Sequence, residues 1–195
     1  WALDLDTGVL KITGTGEMKN YTYSSEAPWY SYSSNIKNVN IASGVTTIAD
    51  NVFNSCDSLT SITVDANNKN YSSNDDGVLF NKDKTTLVKY PIGNTRISYT
   101  IPGSVTIIGD RAFCDCTNLT SVTIPDSVTT IGDYAFSFCD SLASAKIGNG
   151  VTTIGEGAFC NCTSLTSITI PDSVTTIGEG AFCNCISLTS VTIPD

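Results

Sequence analysis

Apolar residues recur along this chain with a spacing longer than any single element of secondary structure. Within residues 165–170 they fall at Leu165, Ile168 and Ile170, with Ser167 and Thr169 between them. This alternation predicts a short strand whose Ile168 and Ile170 face a core while Ser167 and Thr169 face water. The pattern returns 23 residues later at Leu188, Val191 and Ile193, and 23 residues earlier at Leu142, Ala145 and Ile147. Residues 173–195 differ from residues 150–172 at three positions, with further copies at 104–126 and 127–149 and a more diverged one starting at Gly44. A fixed period of this length marks a solenoid, in which no unit buries its own apolar face and each depends on its neighbours. Stacking the units makes a parallel sheet, and Pro171-Asp172 ends each strand because proline donates nothing to the ladder.

The LxxLxL spacing is the strand signature of a leucine-rich repeat. The other half of the unit reads differently. At 100 degrees per residue, Ile177, Ala181, Cys185 and Leu188 share one stripe with Phe182 at its flank, which predicts short helical turns on the convex side. Cys183 then points away from Cys185, toward the convex surface. Phe53, Phe113, Phe136, Phe159 and Phe182 hold one slot, but 60 residues separate the first two. Val78–Tyr90 reads as a hairpin within an insertion at about 67–97. Residues 1–35, with alternating apolar positions around Asp6-Thr7-Gly8, read as a β-hairpin cap, and residues 36–195 as the solenoid it covers. The expected fold class is therefore α/β: a leucine-rich-repeat solenoid with a parallel sheet on the concave face and short helical turns opposite. No cap is expected after Asp195, which reads as a break within a longer chain.

Composition narrows the chemistry. Ten basic against 19 acidic residues give a net charge of −9, which disfavours phosphate backbones and so nucleic acid. There is no histidine, so Ser-His-Asp and Cys-His catalysis are excluded. The chain reads as no enzyme, with no cofactor and no metal. Its eight cysteines follow the repeat: Cys56, Cys116, Cys139, Cys162 and Cys185 in one column, Cys114, Cys160 and Cys183 in another. The first column reads as buried small hydrophobes. Cys160 and Cys183 are expected to stay unbridged, because adjacent convex turns should stand beyond the roughly 7 Å that a disulfide tolerates. Asp50, Asp110, Asp133, Glu156 and Glu179 read as caps of the helical turns, and Asn74-Asp-Asp-Gly77 as a turn. No apolar run reaches the length of a transmembrane segment.

The unit Val-Thr-x-Ile-Gly-x-x-Ala-Phe-x-x-Cys-x-x-Leu-Thr-Ser-Val-Thr-Ile-Pro-Asp resembles the BspA-like leucine-rich repeat of bacterial and some protozoan surface proteins. The likeness runs unit by unit through residues 104–195 and less closely through 44–66. It implies a secreted or cell-surface protein that acts by binding, with adhesion to a protein or glycan on a host or neighbouring cell as the expected role. The repeat leaves one row uncommitted to packing or turns: Ser121, Thr123, Ser144, Lys146, Ser167, Thr169, Ser190 and Thr192, which form the candidate partner-binding face. Two alternatives remain: an ice- or crystal-binding threonine array, and a non-catalytic scaffold module of a larger enzyme.

Overall fold

The structure, a computed structural model, describes residues 1–19, 27–49 and 51–192. Strands β1 (Ala2–Asp4) and β2 (Val9–Ile12) form an antiparallel hairpin. Parallel to β2 run β3 (Asn38–Ile41) and β4 (Ser61–Val64), with Leu10, Val39 and Ile62 in register and all three fully buried. An antiparallel meander follows, of β5 (Tyr71–Ser73), β6 (Leu79–Asn81) and β7 (Thr86–Lys89). Two parallel ladders then alternate along the chain. Strands β8 (Ser98–Thr100), β10 (Ser121–Thr123), β12 (Ser144–Lys146), β14 (Ser167–Thr169) and β16 (Ser190–Thr192) build one. Strands β9 (Ile107–Ile108), β11 (Thr130–Ile131), β13 (Thr153–Ile154) and β15 (Thr176–Ile177) build the other, and β7 joins it in parallel beside β9.

The α component expected on the convex side is absent among the described residues. Among the described residues the one helical segment is a 3-10 stretch at Tyr30–Asn35. The reason lies in where the backbone N–H groups go. Phe113, Phe136 and Phe159 donate to the carbonyls of Ala135, Ala158 and Ala181, one repeat onward, each at 2.7 Å. Neighbouring amides such as Cys116 N–H close three-residue turns onto Phe113 O instead. With alternate donors captured by the next repeat, no continuous ladder of bonds to the fourth preceding residue can form. Two left-handed positions per repeat break the helix further: Arg111, Tyr134, Gly157 and Gly180 in one column, Asp115, Phe138, Asn161 and Asn184 in the other.

The same inter-repeat bonding overturns the expectation for the cysteines. Packed helices would stand roughly 8–10 Å apart, whereas hydrogen-bonded strands stand roughly 5 Å apart. Asn161 N–H donates to Cys183 O at 2.8 Å, and the Cys160 and Cys183 α-carbons are 4.6 Å apart and joined by a disulfide. Ser137 interrupts this column, so Cys114 has no cysteine one repeat away. The carboxylates also bond between repeats rather than cap helices. Asp110 Oδ1 accepts the Asp133 N–H at 2.9 Å, and Asp133 Oδ1 accepts that of Glu156 at 2.8 Å. Asp50 lies outside the described residues.

Aromatic rings run through the core. Phe113, Phe136, Phe159 and Phe182 stack at centroid distances of 4.7, 5.0 and 5.6 Å. Tyr90, 23 residues before Phe113, continues the stack at 5.0 Å, so the insertion repeat has an aromatic in the same slot. Trp29 stacks on Phe53 at 6.4 Å and donates its indole N–H to Val52 O. Buried residues divide into an N-terminal cluster from Leu10 to Leu79 and a larger one from Val78 to Cys185, which meet at the insertion.

Two outcomes follow from this packing. In urea titrations Phe136→Ala is expected to cost about 3–5 kcal/mol. Tyr90→Phe is expected to cost nothing or to stabilise, because the Tyr90 hydroxyl is buried with no hydrogen-bond partner among the described residues. Thiol titration in denaturant without reductant should count six free cysteines, rising to eight after reduction, since one pair of the eight is bridged.

Candidate binding face

Parallel, in-register pairing lines up chemically equivalent side chains. Ser98, Ser121, Ser144, Ser167 and Ser190 form one row, and Thr100, Thr123, Lys146, Thr169 and Thr192 the next. Between the rows Tyr99, Val122, Ala145 and Ile168 turn inward and are buried, which forces their neighbours outward. Ser121 and Thr123 are half-buried, and Ser144, Lys146, Ser167, Thr169, Ser190 and Thr192 are exposed. The middle of this face is a concavity of about 450 Å³, bounded by Ser121, Thr123, Ser144, Lys146, Ser167 and Thr169.

Hydroxyl bonding separates this face from two threonine columns, although Thr130, Thr153 and Thr176 of the second ladder likewise make no side-chain hydrogen bond among the described residues. Thr106, Thr129, Thr152 and Thr175 each donate Oγ1–H to a carbonyl of the preceding repeat, at 3.1 to 3.3 Å. At the entry to the strands Thr120, Thr166 and Thr189 do the same, toward Ile97 O, Ala143 O and Thr166 O. Those hydroxyls extend the inter-repeat ladder. Among the described residues, none of the seven hydroxyls of the predicted site has a protein hydrogen-bond partner, and Lys146 has no ion-pair partner. Lys146 is the one charged side chain in the two rows between β8 and β16. The face thus offers donors and acceptors to an external polar surface, without the aromatic or arginine anchors that usually carry tight binding.

The remaining chemistry is committed to structure. Cys139, Cys162 and Cys185 each donate S–H to the carbonyl of Phe113, Phe136 or Phe159 at 3.1 Å, extending the ladder into the core. Burial pushes the Cys56 and Cys116 thiols up to about 12 from an ordinary 9, which keeps them protonated at neutral pH. No group of three or more carboxylate or cysteine ligands clusters among the described residues. In Asn74–Gly77 the Asn74 side-chain oxygen accepts the Val78 N–H at 2.9 Å and Gly77 N–H closes on Asn74 O at 3.0 Å, a self-braced turn. Asp76 pairs with Arg96. Lys89 is buried beside a second cavity, and its signal in the sequence is a charge within an apolar strand.

The BspA type leucine rich repeat region, in six copies, matches residues 18–99 and 93–195. No curated protein matches the chain in sequence. Among solved structures, a leucine-rich cell surface protein from Faecalibacterium prausnitzii A2-165 is 30% identical at a TM-score of 0.78, over 95% of this chain and 53% of that one. The pneumococcal vaccine antigen PcpA is 28% identical, also at 0.78, over 83% of this chain and 40% of its own. A leucine-rich repeat protein from Eubacterium ventriosum, 22% identical at a TM-score of 0.58 over 98% of this chain and 82% of that one, shares the fold. The chain spans about half or less of the length of the first two.

Proposed function

The chain belongs to the BspA-type leucine-rich-repeat family, and on that basis we propose that it is a non-catalytic interaction module of a secreted or cell-surface protein. Its partner is a protein or glycan on a host or neighbouring cell surface, met by the rows Ser121, Ser144, Ser167, Ser190 and Thr123, Lys146, Thr169, Thr192. The observation that carries this reading is a concave row pair with unspent hydroxyls. The Thr106 and Thr120 columns bond to carbonyls of the neighbouring repeat, whereas the face rows, like Thr130, Thr153 and Thr176 of the second ladder, keep their donors and acceptors, and the face rows also line the concavity of about 450 Å³. The kinship supports the surface location, since one relative is itself described as a leucine-rich cell surface protein. Among the described residues no helix is long and apolar enough to cross a membrane.

In this reading residues 1–35 cap the stack and residues 36–195 form the binding solenoid. A face of small polar groups gives weak contacts that gain strength by multivalency, as when many copies are displayed on one surface. Lys146 favours acidic partners, in a chain whose net charge of −9 otherwise repels them. Lys146 also interrupts the threonine row that an ice-ordering array would need.

Arrays of matrix proteins, mucins and glycans provide the test, with the chain presented multivalently on beads. Binding is expected to at least one class, and Ser144→Arg with Ser167→Arg should weaken it tenfold or more while leaving the melting temperature unchanged. Undiminished binding by that double variant would move the site elsewhere on the molecule.

A further inference from the structure

A cleft of about 190 Å³ opens beside β7 in the insertion. Ile48, Ala49, Phe53, Leu79 and Val88, all of the N-terminal cluster, supply its apolar lining, with Lys89 beside them and Asp110 at the exposed rim. Lys89 is only 4% exposed. Its ammonium carries three N–H groups. One donates to Arg111 O at 2.9 Å and another makes a long contact of 3.4 Å with Asn54 Oδ1, both neutral oxygens. Among the described residues the one ion pair is Arg96–Asp76, so Lys89 meets no carboxylate there. Asp110 already uses Oδ1 to hold the Asp133 N–H.

A buried charge without a counter-charge is costly, and buried cations are ordinarily paired. Here a cation with no carboxylate partner among the described residues borders a cavity with apolar walls, the kind of site in which small ligands bind. We propose that this cleft binds a small carboxylic acid with a short apolar body. The carboxylate takes the remaining Lys89 N–H, and the hydrocarbon lies against Ile48, Phe53, Leu79 and Val88. The volume suits such a molecule, being about six times the share of one liquid water molecule. The site is separate from the Ser/Thr face and independent of what that face binds.

The test is NMR titration of the whole chain with 4-methylpentanoate, using 4-methylpentanamide as the uncharged isostere. Saturable shifts are expected at the amides of Ile48, Ala49 and Leu87–Lys89 with the acid, and at least tenfold weaker binding of the amide. Lys89→Met should weaken the acid at least tenfold. Ala49→Leu, which fills the cleft and keeps the ammonium, should do the same and decides the matter if Lys89→Met does not fold. Absence of saturable shifts in the wild-type chain, equal binding of acid and amide, or shifts confined to other residues would overturn the proposal and leave Lys89 a structural bridge between Asn54 and Arg111.

Discussion

Backbone hydrogen bonds between equivalent positions of successive repeats govern this molecule. They occur in the sheets, at Ser121, Ser144 and Ser167, but also in the turns opposite, where Phe136 N–H meets Ala158 O and Asn161 N–H meets Cys183 O. Side chains repeat the arrangement: threonine hydroxyls, cysteine thiols and aspartate carboxylates each reach the backbone of an adjacent unit. Because each unit lies at strand spacing from the next all the way round, identical residues are brought face to face. Phenylalanine rings stack, and two cysteines come close enough to bond.

That constraint explains what could be read from the residues and what could not. Columns of like residues were legible because a 23-residue period puts the same chemistry in the same place; the strand at Ser167–Thr169 and the buried Phe159 follow directly. The sequence suggests helical turns because Ile177, Ala181 and Cys185 fall four residues apart, a spacing that suits one helical face. In the structure Ala181 and Cys185, and Ile154 one repeat before Ile177, turn inward through three-residue turns and left-handed corners at Gly180 and Asn184. Periodicity cannot distinguish the two, since it records which residues face inward and not where their amides bond. The disulfide is hidden by the same assumption, as helix spacing would keep Cys160 and Cys183 apart. Tyr90 is hard to read because it is a tyrosine in a phenylalanine column, although it stands 23 residues from Phe113.

The proposed binding sites are located by subtraction. Inward positions are spent on the core, and most hydroxyls beside the backbone are spent on the ladder. The proposed sites are the concave row pair centred on Ser144 and Lys146, and the cleft at Lys89. The first stands out because it lines a concavity and keeps its hydroxyls unbonded among the described residues. The second was hidden because it depends on Lys89 lying buried beside a cleft, which a charge within an apolar strand does not reveal.

The most direct test is to detect the bonds themselves, through scalar couplings across the hydrogen bonds in an isotopically labelled sample. Inter-repeat bonding predicts a coupling from the Phe136 amide nitrogen to the Ala158 carbonyl carbon, and from Phe159 to Ala181. Couplings from those amides to the residues four positions earlier, Gly132 and Gly155, would mean helices on the convex side and would contradict the ladder on which the fold rests.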